Sequence, residues 1–183
     1  MITCLQIHND YLIPGGETKS TRLIANLLED KGIKVIRYYK SNDEIVNSGV
    51  FAKIFAGINS IYNRKTVQDI KKITKENHIS FALVHNTSPL ISNSVYKALH
   101  DANIPIYKYL QNYNLLCLNG AMDREDRCMD CQKNAFIGVC NKCYKSSLLF
   151  SLMKYISKKE LWRKYIFSFA GYIAISDFVK QKH

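Results

Sequence analysis

Two cysteine pairs, Cys128-Met129-Asp130-Cys131 and Cys140-Asn141-Lys142-Cys143, stand eight residues apart. Two thiolates three positions apart can grip one ion, and a second such pair closes a tetrahedron around Zn²⁺. The spacing of Cys128, Cys131, Cys140 and Cys143 therefore points to a structural zinc. Disulfides and inert reduced cysteines are the other two readings. A redox role fits less well, because a redox CxxC opens a helix after a strand and neither pair is so placed. Cys117 is a fifth cysteine nearby, either an alternative ligand or a buried thiol.

A second constellation is spread along the chain. His8, His85 and Gln111 each follow a short apolar run that reads as a strand. In a parallel α/β sheet, ligands gather beyond the carboxyl ends of strands. A histidine there could serve as a general base near neutral pH, or it could simply bond to a loop. Gln111 and Asn112 could satisfy loop amides in the same plain way. Gly15-Gly16 precede a helical pattern, so backbone could approach a ligand while free helix N–H groups face an anion. An ordinary turn accounts for two glycines equally well, and the GxGxxG fingerprint is absent.

The elements that must position these groups alternate. A strand over 2–7 leads to a helix marked by Leu23, Ile24, Leu27 and Leu28 at helical spacing, closed by Gly32. A strand over 33–39 follows. Residues 49–61 carry apolar residues at mixed helical spacing and read as a helix, either buried or turned to a partner. Asn63 caps a helix over 64–77. A strand over 81–84, a helix from Ser92 or Asn93 to Ala102, and a strand over 104–110 complete the regular part. Residues 111–147 form a cysteine-rich loop, the length of which suggests that it binds something or is tied down. An amphipathic helix over 148–156, flanked by lysines, reads as a sheet cover or a membrane-surface element. A strand over 171–176 and a helix from Ser176 or Asp177 follow. That helix is cut off within two turns, as expected of a truncated domain. The pattern predicts a Rossmann-like α/β domain over 1–183, with a parallel sheet flanked by helices.

At 183 residues and 47% apolar, the chain supplies one hydrophobic core and is too short for two Rossmann-sized domains. The start lacks a signal peptide's basic region, and no run is long enough to span a membrane. A cytoplasmic protein with reduced or metal-bound cysteines is the expectation. The net charge of +11 suits a basic solvated face, an anionic membrane, or a phosphorylated or lipid-linked substrate. Nucleic acid is not an expected partner, since neither a helix-turn-helix nor a finger with correctly spaced histidines is present.

Taken in order, five pieces resemble the amino-terminal domain of a family-four glycosyltransferase of the GT-B superfamily. They are His8-Asn9 with Gly15-Gly16-Glu17; Val84-His85-Asn86-Thr87-Ser88-Pro89 with Ser92, Ser94 and Val95; Leu110-Gln111-Asn112-Tyr113-Asn114-Leu115-Leu116-Cys117 with Asn119-Gly120; Cys128-Met129-Asp130-Cys131 with Cys143-Tyr144-Lys145-Ser146-Ser147; and Ala174-Ile175-Ser176-Asp177-Phe178. The resemblance implies an acceptor-side domain of a retaining enzyme that moves a sugar from a nucleotide-sugar donor to a glycan or lipid-linked acceptor at the inner face of a membrane. It implies catalytic contacts from His8, His85 and Gln111, and substrate contacts from Gly15, Gly16, Glu17, Asn86, Asn112 and Tyr113. It reaches Cys117 rather than Cys140 as a fourth cysteine. Related enzymes commonly carry His where Gln111 stands, and glutamine exchanges no proton usefully. The donor domain would lie beyond His183, so the chain alone is expected to be inactive. A zinc-stabilised glycan- or lipid-binding module without transferase chemistry is the alternative.

Overall fold

Parallel strands need crossovers, and this chain provides a helix for each of the first three. A computed structural model describes residues 1–13, 15–43, 58–122 and 128–183. The elements are β1 (Thr3–Asp10), α1 (Gly16–Asp30), β2 (Lys34–Ser41), α2 (Arg64–Glu76), β3 (Phe81–Val84), α3 (Ser94–Asp101), β4 (Ile106–Leu110), α4 (Asp130–Lys133), α5 (Ile137–Cys140), α6 (Leu148–Lys164), a 3₁₀ turn Ile166–Ser168, β5 (Gly171–Ala174) and α7 (Asp177–Lys182). Of the helix expected over 49–61, residues 49–57 lie outside the described residues.

The sheet is parallel, in the order β2-β1-β3-β4-β5. The chain steps outward from β1 to β2, then returns past β1 to β3. Right-handed crossovers therefore put α1 on one face and α2 and α3 on the other. Strand alternation serves both faces. Leu5, Ile7, Ala82 and Val84 join Val67, Ile70, Val95 and Leu99 on the α2–α3 side. Cys4, Val35 and Leu83 meet Ala25 on the α1 side. The result is a Rossmann-like α/β domain, and its reversal of strand order lies between β1 and β3, where such sheets open a crevice.

Helix ends follow local chemistry. Asn63 Oδ1 accepts the Thr66 N–H at 3.2 Å, and Ser176 Oγ accepts the Val179 N–H at 3.2 Å. Gly32, at φ 77°, closes α1. Its N–H reaches Glu29 O at 2.9 Å and the Ile33 N–H reaches Leu28 O at 3.0 Å, the paired bonds of a Schellman end.

Three features depart from the sequence pattern. β1 continues through Asp10, because its ladder with β2 runs to Asp10 opposite Ser41; a polar strand end has no hydrophobic signature. β4 starts at Ile106, since Pro105 has no N–H to give and contributes only its carbonyl, to Ala82 N at 2.8 Å. Helix α6 is longer than expected and turned the other way. Its inner face carries Ser151, Lys154, Ser157 and Lys158 before Leu161, while Leu148, Leu149, Leu152 and Ile156 are 37–54% exposed. Among the described residues, no helix is long and apolar enough to cross a membrane.

Candidate functional site

The ends of β1, β3 and β4 bring His8, His85 and Gln111 together on the α1 side of the crevice. His85 is buried, and both ring nitrogens are engaged. Gln6 Nε2 lies 3.1 Å from His85 Nε2 and also donates to Thr21 O at 3.0 Å. An amide NH₂ can only donate, so His85 Nε2 accepts. The proton then sits on Nδ1 and is donated to Gln111 Oε1 at 3.0 Å. Burial pushes the His85 pKa down to about 3, against an opposing bond from Gln111. The ring is neutral at pH 7 and has no nitrogen free for a substrate. In this arrangement His85 holds the Gln111 amide, with the Gln111 Nε2 end left for other partners.

Gln6, which the sequence reading passed over, is the hub of this network. It is fully buried, and its Oε1 accepts the Tyr39 hydroxyl. A glutamine between Leu5 and Ile7 in a buried strand was the available signal.

His8 is also fully buried, and burial lowers its pKa to about 4 in spite of Asp10. Its Nε2 stands 3.4 Å from Thr18 Oγ1 and 3.2 Å from Asp10 Oδ1, the second out of hydrogen-bond alignment. His8 Nδ1 has no hydrogen-bond partner among the described residues. Asp10 Oδ2 meets Arg22 Nη2 at 2.9 Å. His8 lies edge-on to His85, with ring centroids 5.9 Å apart.

The other predicted contacts surround the same crevice. Gly15 is the N-cap of α1 at φ −101°, with no side-chain cap, and Gly16 opens the helix. Neither glycine has a positive φ. A Cβ at either would meet nothing within 4 Å. A special turn therefore does not demand glycine here, and the backbone at the α1 amino end faces open space. Glu17 accepts from Tyr11 Oη at 3.1 Å and from Asn112 Nδ2 at 3.1 Å. Asn86 is committed to structure, its Nδ2 donating to Asn9 O at 2.8 Å and to Ser88 O at 3.1 Å. It stitches the loop after β3 to the end of β1. Tyr113 stacks on His183 at 5.7 Å.

Beneath α6 lies a cavity of about 50 Å³. Asn86, Ser88, Lys108, Asn112, Lys154 and Lys158 are among its walls. Asn112 thus links the α1 amino end to this cavity. The sequence reading missed these lysines. Lys108 lies inside an apolar strand, and Lys154 and Lys158 share a helix face opposite the leucines.

All six cysteines carry no disulfide. Among the described residues, no group of three or more His, Cys, Asp or Glu is arranged to hold a metal. Cys140 is exposed. The thiols that act on Cys131 are Cys117 and Cys128, within the set that the resemblance reaches. Burial raises the Cys131 pKa, and these two thiols add to the rise.

No family model matches the chain, and no curated protein matches it. Among solved structures, S. aureus MnaA, determined as a co-structure with UDP, is similar at 13% identity and a TM-score of 0.41. The match covers 63% of this chain and 31% of that one, so the chain corresponds to about a third of that protein's length. Similarity at this level carries nothing about chemistry.

Proposed function

We propose that this domain is the acceptor side of a retaining, nucleotide-sugar-dependent glycosyltransferase, working with a donor-binding domain. One observation carries the reading. Sequence pieces far apart in the chain (His8, Gly15-Gly16, His85 and Gln111-Asn112) meet at one crevice, at the strand ends where α/β sheets bind ligands. The Gln111 amide, fixed by His85, offers a hydrogen bond to a sugar hydroxyl. The open amino end of α1 offers N–H groups to donor phosphate or to the transferred sugar. Neutral, buried histidines favour hydrogen bonding over proton transfer from this half.

The inverted face of α6 supports a membrane-surface location. Leu148, Leu149, Leu152 and Ile156 point outward on a helix whose last turn carries Arg163 and Lys164, and apolar side chains bordered by cations suit an anionic lipid surface.

Complementation tests the transferase reading. Mixed with or fused to donor domains of this superfamily, the chain is expected to transfer sugar from a UDP-, GDP- or TDP-sugar, and Gln111→Ala is expected to lower the rate. Inactivity of every pair would sink the reading. Vesicle co-sedimentation tests the membrane surface: binding to phosphatidylglycerol vesicles should fall in Leu152→Glu/Ile156→Glu, and equal binding by that variant would refute it.

A further inference from the structure

Three lysine ammonium groups converge on one cavity. Lys108 comes from β4, and Lys154 and Lys158 come from successive turns of α6. All three line the cavity under α6, and among the described residues no Asp or Glu lines it. Among the described residues each ammonium makes one hydrogen bond, and Lys154 Nζ also lies over the Tyr144 ring at 5.5 Å from its centroid. Lys108 Nζ donates to His85 O, Lys154 Nζ to Ser88 Oγ at 3.1 Å, and Lys158 Nζ to Leu116 O at 2.7 Å. An ammonium has three N–H groups, so two on each lysine have no hydrogen-bond acceptor among the described residues. Among the described residues none of the three forms an ion pair. Glu17 is the carboxylate that acts on Lys108, and it is already held by Tyr11 and Asn112.

Like charges gathered in a partly buried pocket oppose folding unless an anion joins them. Burial, with repulsion from the neighbouring lysine, lowers the pKa of Lys108 and of Lys154 to about 8, and burial alone lowers that of Lys158. The space is several times the roughly 10–15 Å³ that a single water needs, so it admits a small oxyanion.

We infer that this cavity binds a phosphoryl group, with Lys108, Lys154 and Lys158 supplying charge and the Ser88 hydroxyl a further hydrogen bond. The inference deepens the acceptor-side reading and rests on it only for what carries the phosphate. The site itself rests on the lysines. Because the pocket shares the Asn112 wall with the α1 amino end, a phosphate held there would present its carrier toward Gln111.

The experiment is calorimetric titration of the chain at pH 7, with ionic strength held constant in chloride. Inorganic phosphate, glucose 1-phosphate and a short-chain isoprenyl phosphate are the probes. One-to-one saturable binding by at least one probe is expected, and the order of affinities separates a soluble sugar from a lipid as the carrier. Lys154→Met and Lys158→Met should each weaken it about tenfold or more, the loss of one charge-assisted bond. Lys159→Met removes an equal charge from the exposed side of the same helix and should change binding less than about twofold. Should the methionine variants fail to fold, mass-spectrometric acetylation of the wild-type chain replaces them, with phosphate expected to protect Lys154 and Lys158 selectively. No saturable binding by any probe, equal weakening by Lys159→Met, or absent protection would overturn the inference. Phosphate binding is read without sugar transfer, so this result stands or falls separately from the complementation assay.

Discussion

Replacing Gln6 with leucine keeps the size of a buried side chain and deletes its polar atoms. Gln6 donates to His85 Nε2 at 3.1 Å and to Thr21 O at 3.0 Å, and accepts from Tyr39 Oη. The Thr21 carbonyl keeps its place in α1. His85 Nε2, within a residue only 1% exposed, is left without a donor. An unsatisfied buried acceptor costs about 1–3 kcal/mol, and the part-buried Tyr39 hydroxyl forfeits a bond worth about 0.5–1.5 kcal/mol. Gln6→Leu should therefore destabilise the domain by about 2–4 kcal/mol, a large share of the roughly 5–15 kcal/mol of a typical domain. Urea denaturation followed by circular dichroism measures it. The sharper assay is a double-mutant cycle with His85→Leu. Removing both partners of a buried pair is less damaging than leaving one unpaired, so Gln6→Leu/His85→Leu should fall short of the sum of the singles by about 1–2 kcal/mol. Additivity of the two substitutions, or a Gln6→Leu effect below about 0.5 kcal/mol, would refute the tautomer assignment and the hub role.

Acid should weaken the fold early. His8 and His85 have folded pKa values near about 4 and about 3, below the ordinary histidine value of 6.5. The unfolded chain therefore binds more protons, and their contribution to stability is full above pH 6.5 and is lost as pH falls toward 4 and then 3; urea midpoints at pH 7.5 and pH 5 should differ in that direction. Gly32→Ala places a Cβ at φ 77° with no contact to blame, so a loss of about 1–2 kcal/mol is expected from backbone strain alone. Gly15→Ala, at φ −101° in open space, should leave stability within about 0.5 kcal/mol while weakening whatever binds at the α1 amino end. Cys140, exposed, should react with maleimide first, and Cys4, buried with its pKa raised to about 12, should react last. Selective protection of Cys128, Cys131, Cys140 and Cys143 by added zinc would support the sequence-based metal proposal, and unchanged labelling would refute it.

The local pattern was legible in the residues. Helical spacing, the Asn63 and Ser176 caps and the Gly32 stop set α1, α2 and α7 near their observed ends. His85 and Gln111 do follow β3 and β4 directly, because turns and apolar runs are properties of neighbouring residues, whereas His8 lies inside β1, two residues before its end. What those groups do was decided elsewhere. Strand order depends on which face each crossover helix can cover, and only that order makes β1 and β3 neighbours and brings the two histidines edge to edge. The occupied nitrogens of His85 follow from Gln6 and Gln111, residues distant in sequence that share one face of adjacent strands. Helix α6 shows the limit most clearly. Apolar and basic side chains are mixed around its 17 residues, so the sequence alone does not say which side turns inward. The fold turns the lysines in, toward Ser88 and Lys108, because the edge of the sheet there offers carbonyls and hydroxyls rather than a hydrophobic seat.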